Sequence, residues 1–230
     1  MIQLNAVTKT YRRGADEVSA LRPTTLTIGR NDFTAIVGPS GSGKSTLLCM
    51  LGGMLAPTSG QIMVDGESLY DQSIARRCRY RNEQVGFVFQ SFNLVPWLTA
   101  LENVQLPLSL YGTPAEEQRS RAESMLARFG LENRLRHRPA ELSAGQQQRV
   151  ALARTLVTNP QLILADEPTV KLDPESRDLV LQTFSELHND GHAVVLVTHD
   201  HNVSAAAERV LRIEDGHVCE QSLGASDVAA

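Results

Sequence analysis

The chain lacks any stretch suited to crossing a membrane. Residues 45–64 carry no charge, but Gly52, Gly53, Pro57, Ser59 and Gly60 interrupt them, and a spanning helix needs about 20 mostly apolar residues. A signal peptide is not expected either, because Met1-Ile2-Gln3-Leu4-Asn5 has no basic segment followed by an apolar core. Cysteine is scarce: Cys49, Cys78 and Cys219 are odd in number and form no CxxC pair. That argues against a disulfide framework or a zinc site and suits a reducing compartment, with Cys49 reading as a core thiol. There is no positive excess. Lys and Arg number 22 against 26 Asp and Glu, a net charge of −4, so a general nucleic-acid binder is not expected. The one basic run, Arg76-Arg77-Cys78-Arg79-Tyr80-Arg81, reads as a solvated helix face. No repeat of fixed period and no low-complexity segment is visible.

What is present is ordinary soluble-protein material: 230 residues, 42% hydrophobic and 21% charged. That suits one large α/β domain or two small ones, with length enough for a substantial core. Aliphatic and β-branched runs predict strands at 2–11, 21–28, 33–37, 61–64, 85–89, 162–165, 193–198 and 210–213. Helices are predicted at 44–55, from about 101 to 157, and at 174–189, with Thr113 capping one that has Pro114 in its first turn. Strands alternating with helices imply a mainly parallel sheet covered on both faces, and the long helical block breaks that alternation as an insert.

Three motifs carry chemistry. In Gly38-Pro39-Ser40-Gly41-Ser42-Gly43-Lys44-Ser45-Thr46, a strand runs through glycines into a helix. That is the arrangement by which consecutive backbone N–H groups and a helix N-terminus cradle phosphates. Lys44 is placed to reach the β- and γ-phosphates, and the Ser45 hydroxyl to ligate Mg²⁺. In Leu162-Ile163-Leu164-Ala165-Asp166-Glu167 a buried strand ends in two carboxylates. Asp166 suits water-mediated Mg²⁺ binding and Glu167 suits polarising an attacking water. Leu142-Ser143-Ala144-Gly145-Gln146-Gln147-Gln148-Arg149 opens a helix with small residues and a hydroxyl, which leaves N–H groups free for an anion.

This last motif resembles the signature of ABC ATPases, LSGGQ followed by QQR, with Ala144 in place of the first glycine. The resemblance extends over about residues 2–220. It implies an α/β fold with a P-loop (RecA-like) core, an N-terminal antiparallel β subdomain and an inserted α-helical subdomain. The expected division is one domain over 1–222, with core segments 1–90 and 159–222, a helical subdomain 91–158 and a tail 223–230. Tyr11 matches the aromatic stacked on adenine, Gln90 the glutamine that contacts Mg²⁺ or the attacking water, Asp173 the D-loop aspartate, and His199 the histidine at the γ-phosphate. The resemblance further implies a head-to-tail homodimer around two ATP molecules. Ser143, Gly145 and Gln146 of one chain would complete the site of the other.

Residues 79–96 and 101–104, together with a longer loop expected at 12–19 after Tyr11, resemble ATPases of the MacB/LolD type. They imply a separate transmembrane permease with a large extracytoplasmic domain and a place on the cytoplasmic face of the membrane. Phe92, Leu94, Val95, Trp97 and Leu98, near Glu102, are the expected docking surface, shared with the helical subdomain's own core. Because the sequence ends soon after Gly216, the C-terminal regulatory domain that some importer ATPases carry is not expected. Val170 and Lys171 depart from the usual D-loop, and Ala144 is expected to be tolerated with some effect on affinity or turnover. Two alternatives stay open: an ATPase that regulates a membrane partner without transport, as in cell-wall hydrolase control, and an importer ATPase.

Overall fold

The computed structural model describes residues 1–14 and 16–221. The domain end expected at 222 and the tail 223–230 lie outside them. The elements run β1 (Ile2–Arg13), β2 (Asp16–Ile28), β3 (Phe33–Val37), α1 (Lys44–Leu51), β4 (Ser59–Val64), β5 (Glu67–Ser68), α2 (Ile74–Glu83) and β6 (Val85–Phe89). Then follow α3 (Ala100–Leu110), α4 (Ala115–Arg128), a 3₁₀ turn (Pro139–Glu141), α5 (Ala144–Leu156), β7 (Leu162–Asp166), α6 (Pro174–Asn189), β8 (Ala193–Val197), α7 (His201–Ser204), β9 (Arg209–Glu214) and β10 (His217–Gln221).

Two sheets form. One is antiparallel, ordered β2-β1-β4-β5; the other is ordered β10-β9-β3-β8-β7-β6, parallel except for its β10 edge. The central strands are apolar on both faces, as a covered parallel sheet requires. Along β8, Val194 and Leu196 join the core under α3–α6, while Val195 and Val197 join the core shared with α1 and the antiparallel sheet. β7 divides the same way, with Ile163 and Ala165 on the first side and Leu162 and Leu164 on the second. Because β3, β6, β7 and β8 run parallel, the segments after Val37, Phe89, Asp166 and Val197 emerge at one edge. In doubly wound sheets that edge is where ligands sit.

Three expectations need correcting. The segment 12–19 is not a loop: β1 and β2 continue as a hairpin pairing Tyr11 with Val18 and Arg12 with Glu17. A 2.7 Å ion pair between Arg12 and Glu17 spans it, and Gly14 turns it at φ 64°. Helix α1 stops at Leu51, four residues early, because Gly52 caps it and Gly53 adopts φ 69°. Pro114 rather than Thr113 is the N-cap of α4, and the Thr113 carbonyl instead accepts from Gln118 Nε2 at 2.7 Å.

Arg154 near the end of α5 fixes the segment after β6. Its guanidinium donates to the carbonyls of Phe92 at 2.8 Å and Asn93 at 2.6 Å. Both residues are left-handed, at φ 59° and 48°, a conformation that costs free energy and persists only where the surroundings impose it. Burial pushes the Arg154 pKa below its ordinary value. Arg154→Ala should therefore destabilise the fold by about 2–4 kcal/mol, read from the midpoint of urea unfolding. A midpoint equal to wild type would mean the two turns hold themselves.

Candidate active site

The P-loop residues line a cleft of about 760 Å³ at the sheet edge, together with Tyr11, Gln90, Asp166, Glu167 and His199. The loop conformation is one that only glycine adopts freely: Gly38, Gly41 and Gly43 have φ 149°, 78° and 109°. Space matters as much. A Cβ on Gly38 would overlap the Ile213 carbonyl oxygen, and one on Gly43 the Ala20 carbonyl oxygen. Helix α1 begins at Gly43 with no side-chain cap and no acid in its first turn. Its N-terminal N–H groups and partial positive charge are thus left for an anion. The Lys44 ammonium donates to the carbonyls of Gly38 and Pro39, both at 2.8 Å, which uses two of its three hydrogens.

The facing wall is acidic. Asp166 ends β7, and Glu167 follows at φ 49° with its N–H donating to Val197 O at 3.0 Å. Glu167 Oε1 lies 2.8 Å from His199 Nδ1, while Oε2 is buried without a hydrogen-bond partner. An ionised carboxylate only accepts, so this bond puts the hydrogen on Nδ1. The result is a carboxylate oriented by His199 at the wall of the cleft, the placement a base acting on water in the cleft requires. At the outer end Tyr11 and Val18, paired across the hairpin and 43% and 59% exposed, offer an apolar surface. Lys9 Nζ sits 5.4 Å from the Tyr11 ring centre.

Five of the expected site residues do not line this cleft, and three of them, Ser143, Gly145 and Gln146, were expected to serve the other copy. Ser42 is buried behind the loop. Ser143, Gly145, Gln146 and Asp173 lie elsewhere. Ser143 caps α5 through a reciprocal pair, Gln146 N–H to Ser143 Oγ at 3.2 Å and Ser143 N–H to Gln146 Oε1 at 3.0 Å. Asp173 caps α6, and its bonds from the Ser176 N–H and hydroxyl hold its carboxyl below the usual range. The two helix starts touch: a Cβ on Gly145 would collide with Ser176 Oγ and come within 3.6 Å of Asp173 Oδ2.

A family model described as ABC transporter matches residues 21–170. The chain belongs to the ABC transporter family. Within it the chain is an ATP-binding, ATP-hydrolysing subunit, as its relatives agree. The uncharacterised ABC transporter ATP-binding protein YvrO of Bacillus subtilis is 44% identical over 218 residues, covering 95% of each chain. The macrolide export ATP-binding/permease protein MacB of Syntrophobacter fumaroxidans is 44% identical over 99% of this chain, which spans only 32% of that larger protein. A dimeric structure of the ATP-binding cassette MJ0796, in a post-hydrolysis state bound to ADP and Pi, superposes with a TM-score of 0.90. It is 44% identical, covering 97% of this chain and 99% of the other; MJ0796 is from Methanocaldococcus jannaschii.

The departures from the ABC pattern can now be located. Ala144 is the first residue of α5 and is exposed. Gly145 is the position with no room. Val170 is likewise exposed. Sequence reasoning missed Val18 and Ala20 as cleft residues because 12–19 was expected to be a loop.

Proposed function

We propose that two copies of this ATPase close head to tail over two ATP molecules, and that the closing motion drives a separate membrane-spanning permease of the MacB/LolD type. One observation carries this reading. The start of α5, with exposed Ser143, is outside the chain's own nucleotide cleft, so a signature helix can cover a triphosphate only in another copy. The dimeric MJ0796 structure bound to ADP and Pi supports it.

Magnesium fits the cleft. Ser45, Asp166 and Gln90 offer hard oxygen donors within it, the type Mg²⁺ prefers alongside phosphate. Bound there it would neutralise charge on the phosphates. The chain's own residues do the rest. Lys44 and the α1 N-terminus hold the phosphates, Glu167 takes the proton of the attacking water, and His199 fixes the Glu167 carboxylate. Tyr11 and Val18 receive the base, and Asp173 holds the D-loop turn against the signature helix.

Residues 91–158 are inferred to move as a unit that carries the permease contact. No helix among the described residues is long and apolar enough to cross a membrane, so the permease would place the ATPase at the cytoplasmic face. Fusion of an ATPase to a permease in MacB favours export, through a permease with a large extracytoplasmic domain. Trp97 is 71% exposed, and Leu106, Leu110 and Tyr111 are exposed nearby in sequence on and just after α3. Glu102 is a poor probe of this surface, because its carboxylate accepts from Thr99 N–H and Oγ1–H, both at 2.8 Å, and so completes the N-terminal cap of α3. Trp97→Ala should leave unfolding free energy within about 0.5 kcal/mol of wild type. It should reduce co-purification of the permease from native membranes about tenfold. Undiminished co-purification would move the docking surface elsewhere.

A further inference from the structure

Helix α5 reaches the turn that carries Glu167 through one side chain. Gln148 is 1% exposed, and its Nε2 donates to the Pro168 carbonyl at 3.0 Å. Its Oε1 is buried and unpaired. A half-satisfied buried amide is costly, and an apolar side chain of similar size would fill the same space without that cost. What leucine could not supply is the donor to Pro168.

That carbonyl matters because of its neighbour. Pro168 has no N–H, so the Glu167–Pro168 peptide offers the fold no donor. On the other side of Glu167 the backbone is anchored by its N–H to Val197 O at 3.0 Å. Glu167 itself is left-handed, at φ 49°, a conformation that persists only where the surroundings impose it. The Val197 and Gln148 bonds bracket the residue.

We propose that Gln148 is a positioning residue for ATP hydrolysis: it holds the turn after Glu167 so that the carboxylate stays on His199 Nδ1. The inference rests on the reading of Glu167 as the base. Gln148 is on the second turn of α5, whose first turn packs Gly145 against Ser176 and Asp173. The same helix therefore links the signature start to the Pro168 carbonyl of its own chain.

The test is steady-state Mg·ATP hydrolysis by the full chain carrying Gln148→Leu, Gln148→Glu or, as a control, Glu167→Gln. Gln148→Leu should lower kcat about ten- to a hundredfold while KM stays within about twofold. Gln148→Glu keeps the shape and adds a titration. Protonated, the carboxylic acid can donate to Pro168 O; ionised, it cannot, and burial raises its pKa. Its kcat relative to wild type should fall as pH rises, whereas the leucine variant's ratio stays flat. A side chain that merely packs would leave the leucine variant at wild-type kcat, because leucine fills the same space. Gln148→Glu with a flat ratio, or both variants with wild-type kcat, overturns the proposal. If the leucine variant does not fold, the isosteric glutamate variant decides alone. Hydrolysis retained by Glu167→Gln would overturn the base assignment itself, and is read separately.

Discussion

Glu167→Gln should slow ATP hydrolysis at least about a hundredfold while leaving ATP bound. The amide has the shape of the carboxylate, and its oxygen can still accept from His199 Nδ1–H, so the 2.8 Å contact survives. What disappears is the ability to take a proton from water, because an amide is not a base at neutral pH. Nothing that holds the phosphates is touched: Lys44, the glycine loop and the α1 N-terminus are on the opposite wall. Removing a negative charge beside a triphosphate lowers repulsion, so the affinity for ATP should be equal or higher. In the proposed dimer, opening follows hydrolysis, so this variant should accumulate as an ATP-bound pair. Light scattering with Mg·ATP should give twice the protomer mass, and with ADP the protomer mass. Turnover within a few-fold of wild type would remove Glu167 from the chemistry. A monomer at saturating ATP, with and without permease, would remove the dimer.

The parts of this fold legible in sequence share a physical trait: their signal is local. β6 and α6 were expected at the bounds observed, because an apolar run and a Pro-led helix with an aspartate cap leave little choice of ends. The same holds for the cleft, where a glycine loop, Gln90, Asp166-Glu167 and His199 each follow directly on a strand of the parallel sheet. The hairpin beyond Tyr11 was not legible. The first four residues of β2 are all exposed, so no alternation marks them as strand, and cross-strand pairing with β1 makes them one. The bonds from Gln148 to Pro168 and from Arg154 to Phe92 and Asn93 were hidden for another reason. Each joins a side chain to a backbone carbonyl brought near by tertiary packing, and a carbonyl is present at every position.

Gly43→Ala should abolish nucleotide binding and destabilise the chain by about 3 kcal/mol or more, a larger structural effect than any other single methyl group in the loop should have except one at Gly38. Two costs coincide at Gly43. Its φ of 109° is strained for any residue with a Cβ. The added carbon would also overlap the Ala20 carbonyl oxygen of β2, which is backbone and cannot rotate away. The helix start must then move, and with it Lys44, whose ammonium is seated on Gly38 O and Pro39 O. Gly41 isolates the first cost from the second, because it is also left-handed, at φ 78°, yet a Cβ there meets no atom within 4 Å. Gly41→Ala should therefore cost only about 1 kcal/mol and leave a folded chain. Urea unfolding and equilibrium ATP binding of the two variants side by side decide the matter. Equal destabilisation would mean that backbone strain alone governs the loop. The expected gap of about 2 kcal/mol or more would assign the difference to the contact between the P-loop and the antiparallel sheet, the same sheet whose hairpin brings Tyr11 and Val18 to the cleft.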